Sequence, residues 1–113
     1  MHLTPLEEDR LAIFSAAELA RRVRAAGALL SAPETVALVC DAMLMQARLG
    51  GGYADCVAAG RAAVREADVI DGVRDLVPEI RLEVLLEEGT RLIVLVDPLG
   101  PAPDPVTGVE PPA

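Results

Sequence analysis

The stretch Val69–Pro98, VIDGVRDLVPEIRLEVLLEEGTRLIVLVDP, constrains the fold more than any other part of the chain. Asp71-Gly72 and Pro78 punctuate it. Two β-like runs follow, Ile80–Leu86 and Thr90–Val96, separated by Glu87-Glu88-Gly89. A loop of this kind, ending in glycine, suits a type I turn followed by a left-handed residue, because glycine has no Cβ to clash at positive φ. It sets Leu86 opposite Thr90, Val84 opposite Leu92, Leu82 opposite Val94 and Ile80 opposite Val96. Side chains alternate along a strand, so Ile80, Leu82, Val84, Leu86, Leu92, Val94 and Val96 are expected to share one apolar face. Leu85, Ile93 and Leu95 then fall on the other face, among Arg81, Glu83 and Arg91. A half-apolar second face marks Leu85, Ile93 and Leu95 as candidate contacts for another chain. An isolated hairpin is marginal in water, so its first face needs cover from the residues upstream.

Those residues read as helices. Thr4-Pro5-Leu6-Glu7 offers a capping threonine, a proline at the first helical position and a glutamate that can reach back to the cap. The helix is expected to run to about Ala26 and stop at Gly27, with Ala12, Ile13, Ala16, Leu19, Ala20 and Val23 as its inward stripe. Leu11 and Phe14 lie off that stripe, as ordinary exposed apolar residues or as a second contact surface. Ser31-Ala32-Pro33-Glu34 repeats the capping device and opens a second helix to about Leu49. Its apolar residues, Val36, Leu38, Val39, Cys40, Met43, Leu44 and Met45, wrap nearly the whole circumference, which predicts burial on most sides. Gly50-Gly51-Gly52 breaks the chain, and a third helix is expected over about Tyr53 to Glu66, with Gly60 allowing close approach of a neighbour. A turn of helix around Ala67–Ile70 leads to Gly72. The fold class is therefore α+β: three main helices plus a short helical turn, followed by a C-terminal antiparallel β-hairpin. Residues 1–99 form one domain. Gly100–Ala113, GPAPDPVTGVEPPA, is expected to be an extended or disordered proline-rich tail.

Composition narrows the chemistry. Hydrophobic residues make up 52% but aromatics only 2%, so the core must be built from Ala, Val, Leu and Ile. A net charge of −8 argues against nucleic acid and anionic membrane surfaces as partners. The longest apolar run is too short to span a bilayer. The opening residues lack the apolar core of a secretory signal, and a cytoplasmic location is the expectation. Cys40 and Cys56 lack metal-ligand spacing and read as buried free thiols. The glycine run is no phosphate loop, since the lysine and hydroxyl residue that such a loop needs are missing. His2 is the sole histidine, lysine is absent, and no nucleophile–histidine combination exists. The acidic residues between Glu66 and Glu88 read as a solvated or partner-facing surface rather than an acid–base pair. From the residues alone, this is a domain with no catalytic kit and more apolar surface than it can cover, which points to a subunit.

Three separated motifs carry a family resemblance. MHLTPLEEDRL resembles the opening of the urease gamma subunit family, Met-x-Leu-Thr-Pro-x-Glu with a following acidic-basic-Leu step that Asp9, Arg10 and Leu11 match. PETVALV is similar to the family's Pro-Glu-Ala-Val-Ala-Leu run. ADVIDGVRDLVPEIRLEVLLEEGTRLIVLVDPL resembles its Asp-Val-Met-x-Gly-Val-Pro stretch and the hairpin after it. The resemblance covers about residues 1–99. It implies a non-catalytic small subunit of a nickel hydrolase that converts urea to ammonia and carbamate, with the nickel in the large subunit. It also implies beta and alpha urease subunits as partners, in heterotrimers assembled with threefold symmetry. The chain departs from the family pattern at Leu6, Ala32, Arg74 and Val96, where a basic residue, an aromatic or histidine, a proline and a histidine are usual. These departures leave a rival reading, a divergent gamma-like interaction module outside an active urease, and a remoter third, a stand-alone small hydrolase. Some relatives fuse gamma and beta into one chain, so the tail is also readable as the remnant of such a junction.

Overall fold

The computed structural model describes residues 1–101. Helix α1 spans Pro5–Ala25, α2 Ala32–Arg48 and α3 Tyr53–Ala63. A 3-10 turn over Glu66–Asp68 and a short helix α4, Val73–Leu76, lead into strands β1, Glu79–Leu86, and β2, Gly89–Val96. The α+β architecture is as expected, with small shifts. The expected turn of helix begins at Glu66, and Val69 is already extended. Helix α3 stops at Ala63 because Val64 turns to φ −140°, ψ 135°. Residues 102–113, nearly all of the expected tail, lie outside the described residues.

Both capping devices form. Thr4 Oγ1 accepts from the Glu7 amide at 3.1 Å, and the Thr4 amide donates to Glu7 Oε1 at 2.8 Å. Ser31 and Glu34 repeat the exchange at 3.3 and 2.8 Å. Each box satisfies amides that the first helical turn leaves without partners. Helix α2 is central: α1 packs against it, α3 packs against it, and β1 touches it, while β2 lies on α3. Most of its apolar surface is thus covered within the chain, while Met45 stays exposed. Gly60 of α3 lets Leu95 and Met43 come so close that a Cβ there would sit 2.8 Å from Leu95 Cδ1 and 2.9 Å from Met43 Cγ. An isolated parallel bridge joins Leu30 to Val69: the Leu30 amide donates to Asp68 O, and the Ile70 amide to Leu30 O, both at 2.9 Å. It ties the α1–α2 connection to the segment before α4.

The hairpin register differs from the expectation by one residue. Leu86 pairs with Gly89, Leu85 with Thr90, Leu82 with Ile93 and Ile80 with Leu95. The turn is only Glu87-Glu88, and Gly89, at φ +115°, is the first residue of β2 rather than the last of the loop. A one-residue slip exchanges the faces of a strand. Ile93 and Leu95 therefore join Ile80, Val84 and Leu86 in the core, at 0% and 1% exposure. Leu92, Val94 and Val96 move to the outer face with Leu85.

The stripe on α1 is also displaced. Ala17 and Ala20 are fully buried and Ile13 and Val23 pack against the core, but Ala12, Ala16 and Leu19 are exposed. The inward face of α1 includes arginines instead, as described next.

Candidate interaction surface

Helices α1 and α2 are joined by a buried carboxylate. Asp41 is 5% exposed and accepts from Arg10 Nη1 at 2.8 Å and from Arg21 Nη1 at 2.9 Å. Arg21 also donates to Glu18 at 3.0 Å and lies over the Phe14 ring, 5.7 Å from its centroid. Burial of Asp41 is tolerable because both its oxygens receive charged donors. In sequence Asp41 only ends an apolar run; its partners lie far back in the chain, beyond the reach of local spacing.

A second group of ion pairs fixes the far end of the hairpin. Arg74 of α4 donates to both oxygens of Asp97 and to Glu66 Oε2 at 2.6 Å. Arg61 of α3 donates to the carbonyls of Val96 and Asp97 at 3.0 and 3.4 Å. The Asp97 amide donates to Pro78 O at 2.8 Å, which closes the open end of the sheet. The hydrogen bonds from Arg74 hold the Asp97 carboxyl below its usual range and raise the Arg74 guanidinium. Asp68 is likewise lowered, chiefly by the backbone amide of Arg65. Arg74, where the urease gamma pattern has proline, thus serves to lock α4 to the strand end.

The thiols are set aside from reactivity. Both cysteines are free and buried, as expected. Burial pushes the Cys40 thiol up to about 11 and raises Cys56. Burial also raises Tyr53, whose ring lies 5.0 Å from the Arg91 guanidinium. Among the described residues, no group of three or more His, Cys, Asp or Glu side chains could hold a metal ion. No described helix is long and apolar enough to cross a membrane.

Of the five candidate contact residues, three are displayed to solvent and two are not. Leu11 and Phe14 are exposed neighbours on α1, and Leu85 is 70% exposed on the outer face of β1. Ile93 and Leu95 are interior residues of this chain, so the outer face of the hairpin is instead Leu85, Leu92, Val94 and Val96 with Glu79, Arg81 and Glu83. A feature that the sequence reading missed lies between α1, α2 and α4. It is an open groove of about 560 Å³, whose lining includes Ala12, Ala16, Val36, Cys40 and Leu76.

A domain whose arginine–carboxylate pairs pin helices and strand ends, and which leaves large apolar side chains exposed on α1 and on the hairpin, has the character of an interaction domain. The chain belongs to the urease gamma subunit family: the family profile described as "Urease, gamma subunit" matches residues 1–99. It is 47% identical over 100 residues to a protein named "Urease subunit gamma/beta" of Streptomyces avermitilis, and 44% identical over 100 residues to one of the same name from Streptomyces coelicolor. Each match covers 88% of this chain but 44% of the relative, so the chain spans less than half the length of these relatives.

Proposed function

We propose that this chain is a non-catalytic structural gamma subunit of a nickel-dependent urease, which hydrolyses urea to ammonia and carbamate in the cytoplasm. The observation that carries this reading is the family match, which runs unbroken through α1, α2, α3, α4 and both strands. The partners are the urease beta and alpha subunits, in heterotrimers arranged with threefold symmetry. Nickel belongs to the large subunit. The donor set here does not fit a dinuclear nickel site, because the chain has one histidine and no lysine and its described carboxylates and thiols form no ligand cluster. The contribution of this chain is then shape and cohesion: a small domain, locked internally by arginine–carboxylate pairs, that offers apolar surface to its neighbours.

The test is co-expression with the beta and alpha urease chains. The three are expected to purify as one assembly that hydrolyses urea, and omission of this chain is expected to reduce the assembly recovered. The isolated chain is expected to bind no stoichiometric nickel. Recovery of a complete, active enzyme that excludes this chain would overturn the reading in favour of an interaction module with other partners.

A further inference from the structure

The exposed strip of α1 and the groove beside it form one continuous apolar feature. Ala12 and Ala16 sit one turn apart and are exposed, and Leu19 extends the strip at 59% exposure. Ala12 and Ala16 also line the groove, together with Val36 and Cys40 of α2 and with Leu76 at the end of α4. Among the described residues, no charged side chain lines it. Alanine on one side leaves room for a helix axis to approach closely, since the spacing of packed helices follows the size of the side chains between them.

Two acids stand beside the groove at the start of α1. Glu8 and Asp9 lie one turn before Ala12 and Ile13 and share their face, whereas Asp75 lines a separate polar pocket with Glu66, Arg74 and Asp97. Glu8 and Asp9 are exposed, and neither is in an ion pair among the described residues. The arginines of the same segments are already engaged, Arg10 and Arg21 with Asp41 and Arg74 with Asp97 and Glu66. Arg22, beside Leu19, is exposed at the opposite end of the strip.

We propose that this groove receives an amphipathic helix of a partner chain, apolar along one side and basic at the end that meets Glu8 and Asp9. Helix-in-groove docking places apolar anchors at helical spacing against such a surface, while complementary charges choose the orientation and speed the encounter. The inference rests on the groove and its charges, and it stands independently of the urease reading.

The probe is a synthetic helical peptide of leucine and alanine with lysines at one end, followed by fluorescence anisotropy with the whole chain. A second peptide carries glutamates in place of the lysines. The lysine peptide is expected to bind, more weakly as salt rises, and the glutamate peptide to stay free. Ala16→Gln and Leu76→Gln, each a neutral change at an exposed position, should lower affinity about tenfold or more, because each puts an amide where an apolar contact was. Circular dichroism checks that the helices persist, and the two variants lie on different helices, so that one misfolded variant does not remove the test. Glu8→Gln with Asp9→Asn should weaken binding, whereas Glu83→Gln with Glu87→Gln, an equal loss of charge on the hairpin, should not. Absence of binding, equal binding of both peptides, undiminished binding by both folded glutamine variants, or equal effects of the two charge pairs would overturn the proposal.

Discussion

Arg74 grips Asp97 through two parallel hydrogen bonds, Nε to Oδ1 at 3.1 Å and Nη2 to Oδ2 at 2.7 Å. The residue so held has φ +46°, a left-handed value that costs energy for most residues other than glycine. Asparagine tolerates that conformation at least as well as aspartate, so Asp97→Asn removes the charge without altering the backbone demand. Asp97, Asp68 and Glu7 all have carboxyls lowered by hydrogen bonds in the folded chain. A lowered folded value means that their stabilisation is complete above the ordinary carboxylate range near 4 and is lost as pH falls through the lowered values. Urea midpoints measured from about pH 7 down to about pH 2 should therefore fall on the acid side. Asp97→Asn should lower the neutral plateau and flatten that acid limb.

Asp41 is expected to matter more than any exposed carboxylate. Asp41→Ala should cost about 1–3 kcal/mol, since it removes two charge-assisted bonds while the part-exposed arginines keep access to water. Arg10→Ala and Arg21→Ala should each cost less, and the double variants with Asp41→Ala should be clearly non-additive. Urea unfolding of the single and double variants checks this.

The two sides of the hairpin should respond oppositely. Ile93→Ala is expected to cost about 2–5 kcal/mol, as for other large-to-small changes in a closed core. Leu85→Ala, on the exposed face, should stay within about 0.5 kcal/mol. Thermal or urea unfolding decides it, and the reverse order would require the register with Ile93 outside.

That pair of residues also shows what local sequence does and does not specify. Thr4 with Glu7 and Ser31 with Glu34 are legible because a capping box is complete within four residues. The parity of β2 is not, because Leu92-Ile93-Val94-Leu95-Val96 is apolar at every position and carries no alternation to read. Only the turn could set it, and whether Gly89 counts as loop or strand shifts every partner by one. Helix α1 hides its inward face similarly: with Ala12, Ala16, Ala17 and Ala20 all available, the burial of Ala17 and Ala20 is decided by where Arg10 and Arg21 must stand to reach Asp41. Leu11 and Phe14 were legible as exposed apolar residues, but the groove beside α1 was not, because three separate segments build it.

Gly60 is legible in both senses. Its Cβ space is occupied by Leu95 and Met43, so Gly60→Val should destabilise by about 1–3 kcal/mol through overpacking. A melting temperature equal to or above that of the parent would show that α3 can move away from the sheet without penalty.

The thiols offer a direct probe of packing. With burial raising both, and Cys40 to about 11, neither should react with iodoacetamide near neutral pH in the folded chain. Both should react once urea unfolds it. Mass spectrometry of the alkylated protein reads the outcome, and rapid labelling of the native chain would contradict the observed burial.

Every cation in the described ion pairs is an arginine. A guanidinium keeps its charge well past the point where an ammonium would surrender its proton. The pairs that lock Asp68 and Asp97 can accordingly be discharged from one side only, by acid. Towards alkali they have no weak member. Rising pH is thus the direction in which these two fastenings hold.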